Sequence, residues 1–328
     1  MKRITWRSVK NFVRDNAIFI VVLAVIIVTI IFEPSFATGD NLLNILRQNS
    51  MVGIVAVGMT YCIIAGLFDL SVGSIVSLTG VIVILSINAG VPDYLAVAYG
   101  LLAGMGVGIV NGVLVSVING RSGEAFMITY GMQVVVAAVA LFPSNGLFIA
   151  GRVQPGLFMS MGQGLMPIII FLALAAILQF ILVKTRYGRQ LCYIGSNMNA
   201  AKMSGIRVKP NRISYFAISG LMAGIAAVVL CSRVTSSNPT AGVGYELNAI
   251  AGIVVGGTSL SGGSGSVVRT VLGITIIGIM RNALNILGIT SYNQDIVVGL
   301  LIIAAVSMDI WNKRIKVREM SNEKAYVG

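Results

Sequence analysis

The chain contains no histidine, which removes the commonest general base and the commonest metal ligand. Its cysteines, Cys62, Cys192 and Cys231, have no paired spacing and read as small apolar residues without a redox or metal role. The carboxylates offer no close pair for general acid–base work. One stretch invites a phosphate: "GGTSLSGGSGS", Gly256 to Ser266, with five glycines, four serines and one threonine. A phosphate-cradling P-loop needs G-x-x-x-x-G-K-[ST], with the lysine reaching the phosphates. Here Gly265 is followed by Ser266, Val267, Val268 and Arg269, and no G-x-G-x-x-G occurs there. A hydrolase or metalloenzyme is not expected, and no ATP site is visible on this chain.

The elements around that stretch are apolar. Of the 328 residues, 56% are hydrophobic and only 10% charged, against about 25% charged in ordinary globular chains. That is too little charge to cover a water-facing surface. The runs "AIFIVVLAVIIVTIIF" (Ala17 to Phe32) and "LMPIIIFLALAAILQFILV" (Leu165 to Val183) approach the ~20 residues that cross a bilayer core. Backbone in lipid must satisfy its own hydrogen bonds, so these runs are expected to be helices. A transmembrane barrel would show short alternating segments instead. The fold class is therefore all-α: a polytopic helical bundle in the membrane. Helices are predicted at about 16–33, 47–67, 71–89, 94–118, 124–143, 164–183, 213–232, 245–260, 266–287 and 291–310, ten in all. The segment Pro143 to Gly164 reads as the longest external connection, a loop rich in Gly, Pro and Met.

The net charge of +12 is unevenly placed. Lys2, Arg3, Arg7, Lys10 and Arg14 precede the first apolar run. Seven basic residues lie between Lys184 and Arg212, with no Asp or Glu among them, and Lys313, Arg314, Lys316, Arg318 and Lys324 follow the last run. These clusters beside hydrophobic segments follow the positive-inside pattern and argue against nucleic-acid binding. They place both termini in the cytoplasm: a segment 1–15, a membrane domain 16–310 with a cytoplasmic loop at 184–212, and a tail 311–328. Asp69, Glu124, Glu246, Asp295 and Asp309 all fall at predicted helix ends. No helix centre holds an acid, which weakens an ion-driven carrier. The fourth predicted helix carries Gly100, Gly104, Gly108 and Gly112, a smooth face suited to close packing or to a moving interface, and Asn111 beside it needs a partner. Within the basic loop, "NMNAAKMSG" reads as a short helix, capped by Asn197 and ended by Gly205. It suits either docking into a partner or a solvated loop.

Four motifs in order carry a family resemblance: "DLSVGS" (Asp69–Ser74), "GSNMNAAKMSGIRV" (Gly195–Val208), "NPTAGVGYELNAIAGIVVGGTSLSGGSG" (Asn238–Gly265) and "NALNILGITSYNQDIVVGLLIIAAV" (Asn282–Val306). From about Phe36 to Asp309 the chain resembles the permease subunits of bacterial sugar ABC importers, the ribose, galactose and autoinducer-2 group. The resemblance implies a multi-pass protein of the bacterial cytoplasmic (inner) membrane. It implies a second permease subunit as partner (a homodimer), an ATP-binding subunit that carries the Mg-ATP, and an extracytoplasmic sugar-binding protein. It makes the 197–205 helix the ATPase-coupling element, through Asn197, Asn199, Ala200, Ala201, Ser204 and Gly205. Tyr245 and Glu246 become binding-protein contacts or interfacial anchors. Asp69, Ser71, Ser74, Asn111, Asn282 and Asn285 become pathway-lining or helix-packing groups. The chain departs from the family at Leu67, Arg269 and Arg281, and at Ala137-Ala138 where Arg-Gly is usual. The changed polar network suggests a modified or acidic sugar. A non-sugar solute, or a self-sufficient carrier, are the competing readings.

Overall fold

The computed structural model describes residues 17–304 and 307. Thirteen α-helices lie among them: α1 (Ala17–Phe32), α2 (Gly39–Ile64), α3 (Val72–Asn88), α4 (Asp93–Val117), α5 (Ser122–Leu141), α6 (Leu157–Met161), α7 (Met166–Lys184), α8 (Arg186–Ser196), α9 (Met198–Met203), α10 (Val208–Val234), α11 (Tyr245–Val255), α12 (Val267–Ile286) and α13 (Ser291–Ala304). An apolar helix stands at each of the ten predicted places. Six of them, α2, α4, α5, α7, α10 and α12, are long and apolar enough to cross a membrane. The only strands among the described residues are β1 (Ile149–Ala150) and β2 (Ser236–Ser237), paired antiparallel, so no barrel is present there. Segments 1–15 and 311–328, with the two terminal basic clusters and Asp309, lie outside the described residues.

Several boundaries differ from expectation for identifiable reasons. α2 begins at Gly39 rather than near 47, because the Asn41 amide donates to the Thr38 hydroxyl at 3.4 Å and opens the helix on polar residues. α10 begins at Val208, since Pro210 falls in the first turn, where a missing N–H costs nothing. α11 ends at Val255, not 260. Gly257 adopts φ +79, and the Thr258 amide turns back to the Ile253 carbonyl at 3.1 Å, closing the helix. Its 11 residues rise about 16 Å, roughly half a hydrocarbon core. The 143–164 connection is not a loose loop. Phe158 is fully buried against Val83, Ile84 and Val228. The Gly162 amide donates to the Ser232 hydroxyl at 2.7 Å, and that hydroxyl donates to the Phe158 carbonyl.

The chain divides into two compact units, with the boundaries inside α2 and α12. In the unit formed by residues up to 45 and from 275, Phe36, Ile45 and Ala283 make a small core. Asn41 and Asn282 exchange reciprocal amide hydrogen bonds at 2.9 and 3.0 Å, so Asn282 is a helix-to-helix contact, while Asn285 is exposed. Arg281 pairs with Asp295 at 2.9 Å. Its charge is therefore answered within the protein and calls for no acidic solute.

The larger unit, Leu46–Ile274, is organised by α10, which packs along α4 and against α3. Glycine decides how close these helices come. A Cβ at Gly104 would lie 2.8 Å from the Gly220 carbonyl oxygen, and one at Gly112 would lie 2.6 Å from Ile213 Cα. A Cβ at Gly108 would run into the Phe216 carbonyl. The predicted glycine face is the α4–α10 seam. The outward faces are bare and apolar, as at Leu102, Phe142 and Phe180, which suits a lipid solvent.

Candidate coupling junction

The basic segment folds as two helices rather than one. α8 lies outside the sequence expectation, because its apolar face is sparse: Gly188, Leu191 and Ile194 are buried at threefold spacing, while Arg186, Arg189 and Tyr193 face outward. The readable signal was Thr185, whose hydroxyl accepts the Gly188 amide at 3.3 Å as an N-cap. α9 follows after one residue. Asn197 caps it, Oδ1 accepting the Ala200 amide at 3.0 Å, and Gly205 at φ +80 ends it, with the Ile206 amide returning to the Ala201 carbonyl at 3.1 Å. Ala201 is buried at 4% exposure. Asn199, Ala200, Ser204 and Gly205 face outward, and Met203 is 90% exposed. A groove of about 710 Å³ between α8 and α9 is lined by Arg186, Arg189, Tyr193, Ala200 and Ala201 among others.

Four glycines from three distant segments meet where α8 reaches the membrane bundle. Gly66, at φ +73, ends α2. The Gly263 amide donates to the Ile64 carbonyl at 2.8 Å. Gly195 sits against that bond: a Cβ there would collide with the Ile64 oxygen and lie 2.6 Å from Gly263 N. Gly262 faces Gly66, where a Cβ would be 2.8 Å from Gly66 N. The "GGTSLSGGSGS" stretch is thus a tight turn. Gly262 and Gly263, both at φ +80, bring its backbone onto α8 and the α2–α3 linker. Gln179 of α7 holds its far end, its Oε1 accepting the Val267 amide at 2.9 Å, so a side chain from another helix caps α12.

Arg212, 2% exposed, ties further elements to the same place. It donates to the Gly120 carbonyl in the α4–α5 turn and points another nitrogen at the Met198 sulfur, 3.9 Å away. With Arg121, Ser122, Asn197, Asn199 and Ser261 it lines a cavity of about 350 Å³. Replacing it by Met removes a charge-assisted bond worth roughly 1.5–3 kcal/mol. We expect Arg212→Met to lower thermal stability in detergent and Arg212→Lys to restore part of it, read by the temperature at which monodisperse protein is lost. Cys192, half-buried on α8, has its thiol pushed up by burial, so it stays protonated and unreactive at neutral pH.

The family model described as "Branched-chain amino acid transport system / permease component" matches residues 41–306. The chain belongs to this permease family. The ribose import permease protein of Haemophilus influenzae is 38% identical over 309 residues, 92% of this chain and 95% of its own. The L-arabinose transport system permease protein of Escherichia coli is 36% identical over 308 residues, 92% of each chain. The D-allose transport system permease protein of Escherichia coli is 37% identical over 295 residues, 89% of this chain and 90% of its own. No solved structure matches the chain.

In this multi-pass membrane permease the remaining predicted residues fall into two groups. Asp69, Ser71, Ser74 and Asn111 come together inside the bundle. Ser71 donates from its hydroxyl (2.7 Å) and its amide (3.2 Å) to Asp69 Oδ1, Asn111 donates to the Ser71 hydroxyl at 2.8 Å, and Ser74 donates to the Ser71 carbonyl at 2.8 Å. All four are buried, so they fasten the α2–α3 linker to α4. Thr129 of α5, absent from the sequence expectations, adds to this by accepting the Leu70 amide at 3.1 Å. Leu67, one of the departures expected from the resemblance, is buried at 2% exposure. Ala137 is half-buried on α5, and Arg269 lies on the exposed side of the first turn of α12. Glu246 is not at an outer surface but inside the bundle at 6% exposure, with Tyr245 partly buried beside it.

Proposed function

We propose that this permease is the membrane subunit of an ATP-driven importer that admits a ribose-like monosaccharide. The observation that carries the reading is identity of 36–38% across some nine-tenths of the chain to permeases for ribose, L-arabinose and D-allose. Two copies would form the pathway, with ten crossings each and both ends in the cytoplasm. A separate ATPase would supply Mg-ATP hydrolysis, so this chain binds no cofactor, and an extracytoplasmic binding protein would deliver the sugar. The family description favours one competitor, a branched-chain amino acid as solute.

The α8–α9 segment supports the ATPase partnership physically. A large apolar side chain left 90% exposed, with Lys202, Arg207 and Lys209 near it in the chain, is a knob for an apolar socket with an acidic rim. Such anchors carry about 2 kcal/mol or more each. Met203→Asp is therefore expected to weaken co-purification with the ATPase at least about thirtyfold, while leaving membrane insertion intact. Proteoliposomes holding the permease, its ATPase and its binding protein should take up ribose only with ATP inside the compartment that holds the ATPase. Uptake of leucine instead of any sugar would overturn the sugar assignment. Uptake without ATP would overturn the importer.

A further inference from the structure

Two helices of this protein start inside the bundle instead of at its edge. α3 begins at Val72, after a linker whose Leu67, Asp69, Leu70 and Ser71 are all buried. α11 begins at Tyr245, after residues that run without helix along α3. Ser237 stands beside Gly80, the Gly242 amide donates to the Ser77 hydroxyl at 3.0 Å, and Glu246 reaches Gly73. The two N-terminal turns therefore meet, Gly73 being the second residue of one helix and Glu246 the second of the other. Irregular backbone at such a place persists only when buried in protein or lining a polar path. Paired interrupted helices of this kind are where membrane transporters hold their solutes.

Glu246 supplies the second observation. It is 6% exposed, and its Oε1 accepts two long bonds, from Gln133 Nε2 at 3.2 Å and from the Gly244 amide at 3.3 Å. Its Oε2 has no hydrogen-bond partner although it is buried. Gly73 leaves the space this oxygen fills, since a Cβ there would collide with it. Burying a carboxylate in a membrane is costly, and such a group marks a function unless fully paired. Here one oxygen is weakly held and the other is open. The partner amide comes from α5, a helix with much of its surface bare.

We infer that Glu246 and Gln133 form the solute-binding constriction of this permease, and that it grips a neutral polyhydroxylated solute. A carboxylate accepts from hydroxyl groups, an amide both donates and accepts, and together they match neighbouring hydroxyls of a sugar ring. The same carboxylate repels an acidic sugar. In the closed state the Gln133–Glu246 bond seals the site, and a passing sugar replaces it bond for bond. The assignment rests on the importer reading above.

The test uses the reconstituted three-component importer with binding protein preloaded with ribose or with 2-deoxyribose. Glu246→Gln keeps the shape and removes the charge, and Gln133→Leu removes the amide. Loss of a charge-assisted bond predicts a fall in ribose uptake of about tenfold to a hundredfold. ATP hydrolysis should stay within about twofold, and preference for ribose over the deoxy sugar should collapse. If Glu246 only capped α3, both sugars would fall together with the yield of assembled complex. That result, or unchanged ribose preference in both variants, overturns the inference. Failure of the wild-type complex to move any sugar overturns the importer reading itself, and the inference with it.

Discussion

Gly108→Leu should leave almost no folded permease in the membrane, whereas Gly106→Leu, two residues away on the same helix, should behave like the wild type. Both substitutions exchange glycine for a better helix former, so local propensity favours each by up to about 1 kcal/mol. What differs is the neighbour. Around Gly106 a Cβ meets nothing within 4 Å. At Gly108 a Cβ collides with the Phe216 carbonyl oxygen, and the next atoms, Phe216 C at 3.0 Å and Ala217 Cα at 3.2 Å, are also backbone. No rotamer change relieves that contact, so α4 and α10 must part. Association of helices in lipid rests on close packing, since apolar burial drives nothing there. Parting this seam also pulls on Gly104 against Gly220 and Gly112 against Ile213. Overpacking by a single methylene already costs about 1–3 kcal/mol. A leucine against backbone should exceed that range and consume a large part of the stability of an ordinary domain. The measurement is the recovered monodisperse fraction after mild heating in detergent. Equal recovery of the two variants would show that the seam is not tight.

The glycine stripe also marks how far the amino-acid sequence alone can be read. Four glycines at fourfold spacing on a predicted span are legible as a smooth face, because helix periodicity is local information. Which helix covers the face is not local, and α10 lies a hundred residues on. The same division runs through the 184–212 segment. The Asn197 cap and the Gly205 terminator follow from short-range backbone chemistry and are where they were expected. α8 has no such local signature, because its buried positions include Gly188, which contributes no apolar signal, and because the charges around it look like a loop. Asp69 and Glu246 show the division most sharply. Both sit at helix ends, as expected, and no helix centre holds either acid. Yet both are buried, because the helix ends themselves lie inside. Hydropathy reports which residues are apolar along the chain. It does not report that a short helix such as α11 starts halfway through, since the polar turn before it reads as an ordinary connection.

Gly195→Ala, a change of one methyl group, should abolish coupled transport while Gly205→Ala, ten residues later, costs little. Gly205 has the unusual backbone, φ +80, which alanine adopts at a penalty of about 1–2 kcal/mol, but nothing lies within 4 Å of its Cβ position. Gly195 has ordinary helical backbone and no free space. Its Cβ would collide with the Ile64 carbonyl oxygen, lie 2.6 Å from Gly263 N, and so occupy the line of the 2.8 Å hydrogen bond joining those two atoms. Either the bond breaks, leaving a donor and an acceptor unpaired at about 1–3 kcal/mol, or α8 withdraws from the junction. In both cases the segment bearing Met203 loses its rigid contact with the end of α2 and with the turn before α12. The expected readout is a permease that inserts and still binds its ATPase, because the Met203 face is untouched. ATP hydrolysis continues, but sugar uptake per ATP falls by about tenfold or more, as a broken mechanical link requires. Gly205→Ala should keep a ratio near that of the wild type, with a lower melting temperature. The reverse ranking, with Gly205 the more damaging position, would mean that the shape of α9 matters more than the backbone contact of α8 and would overturn the junction as the route of coupling.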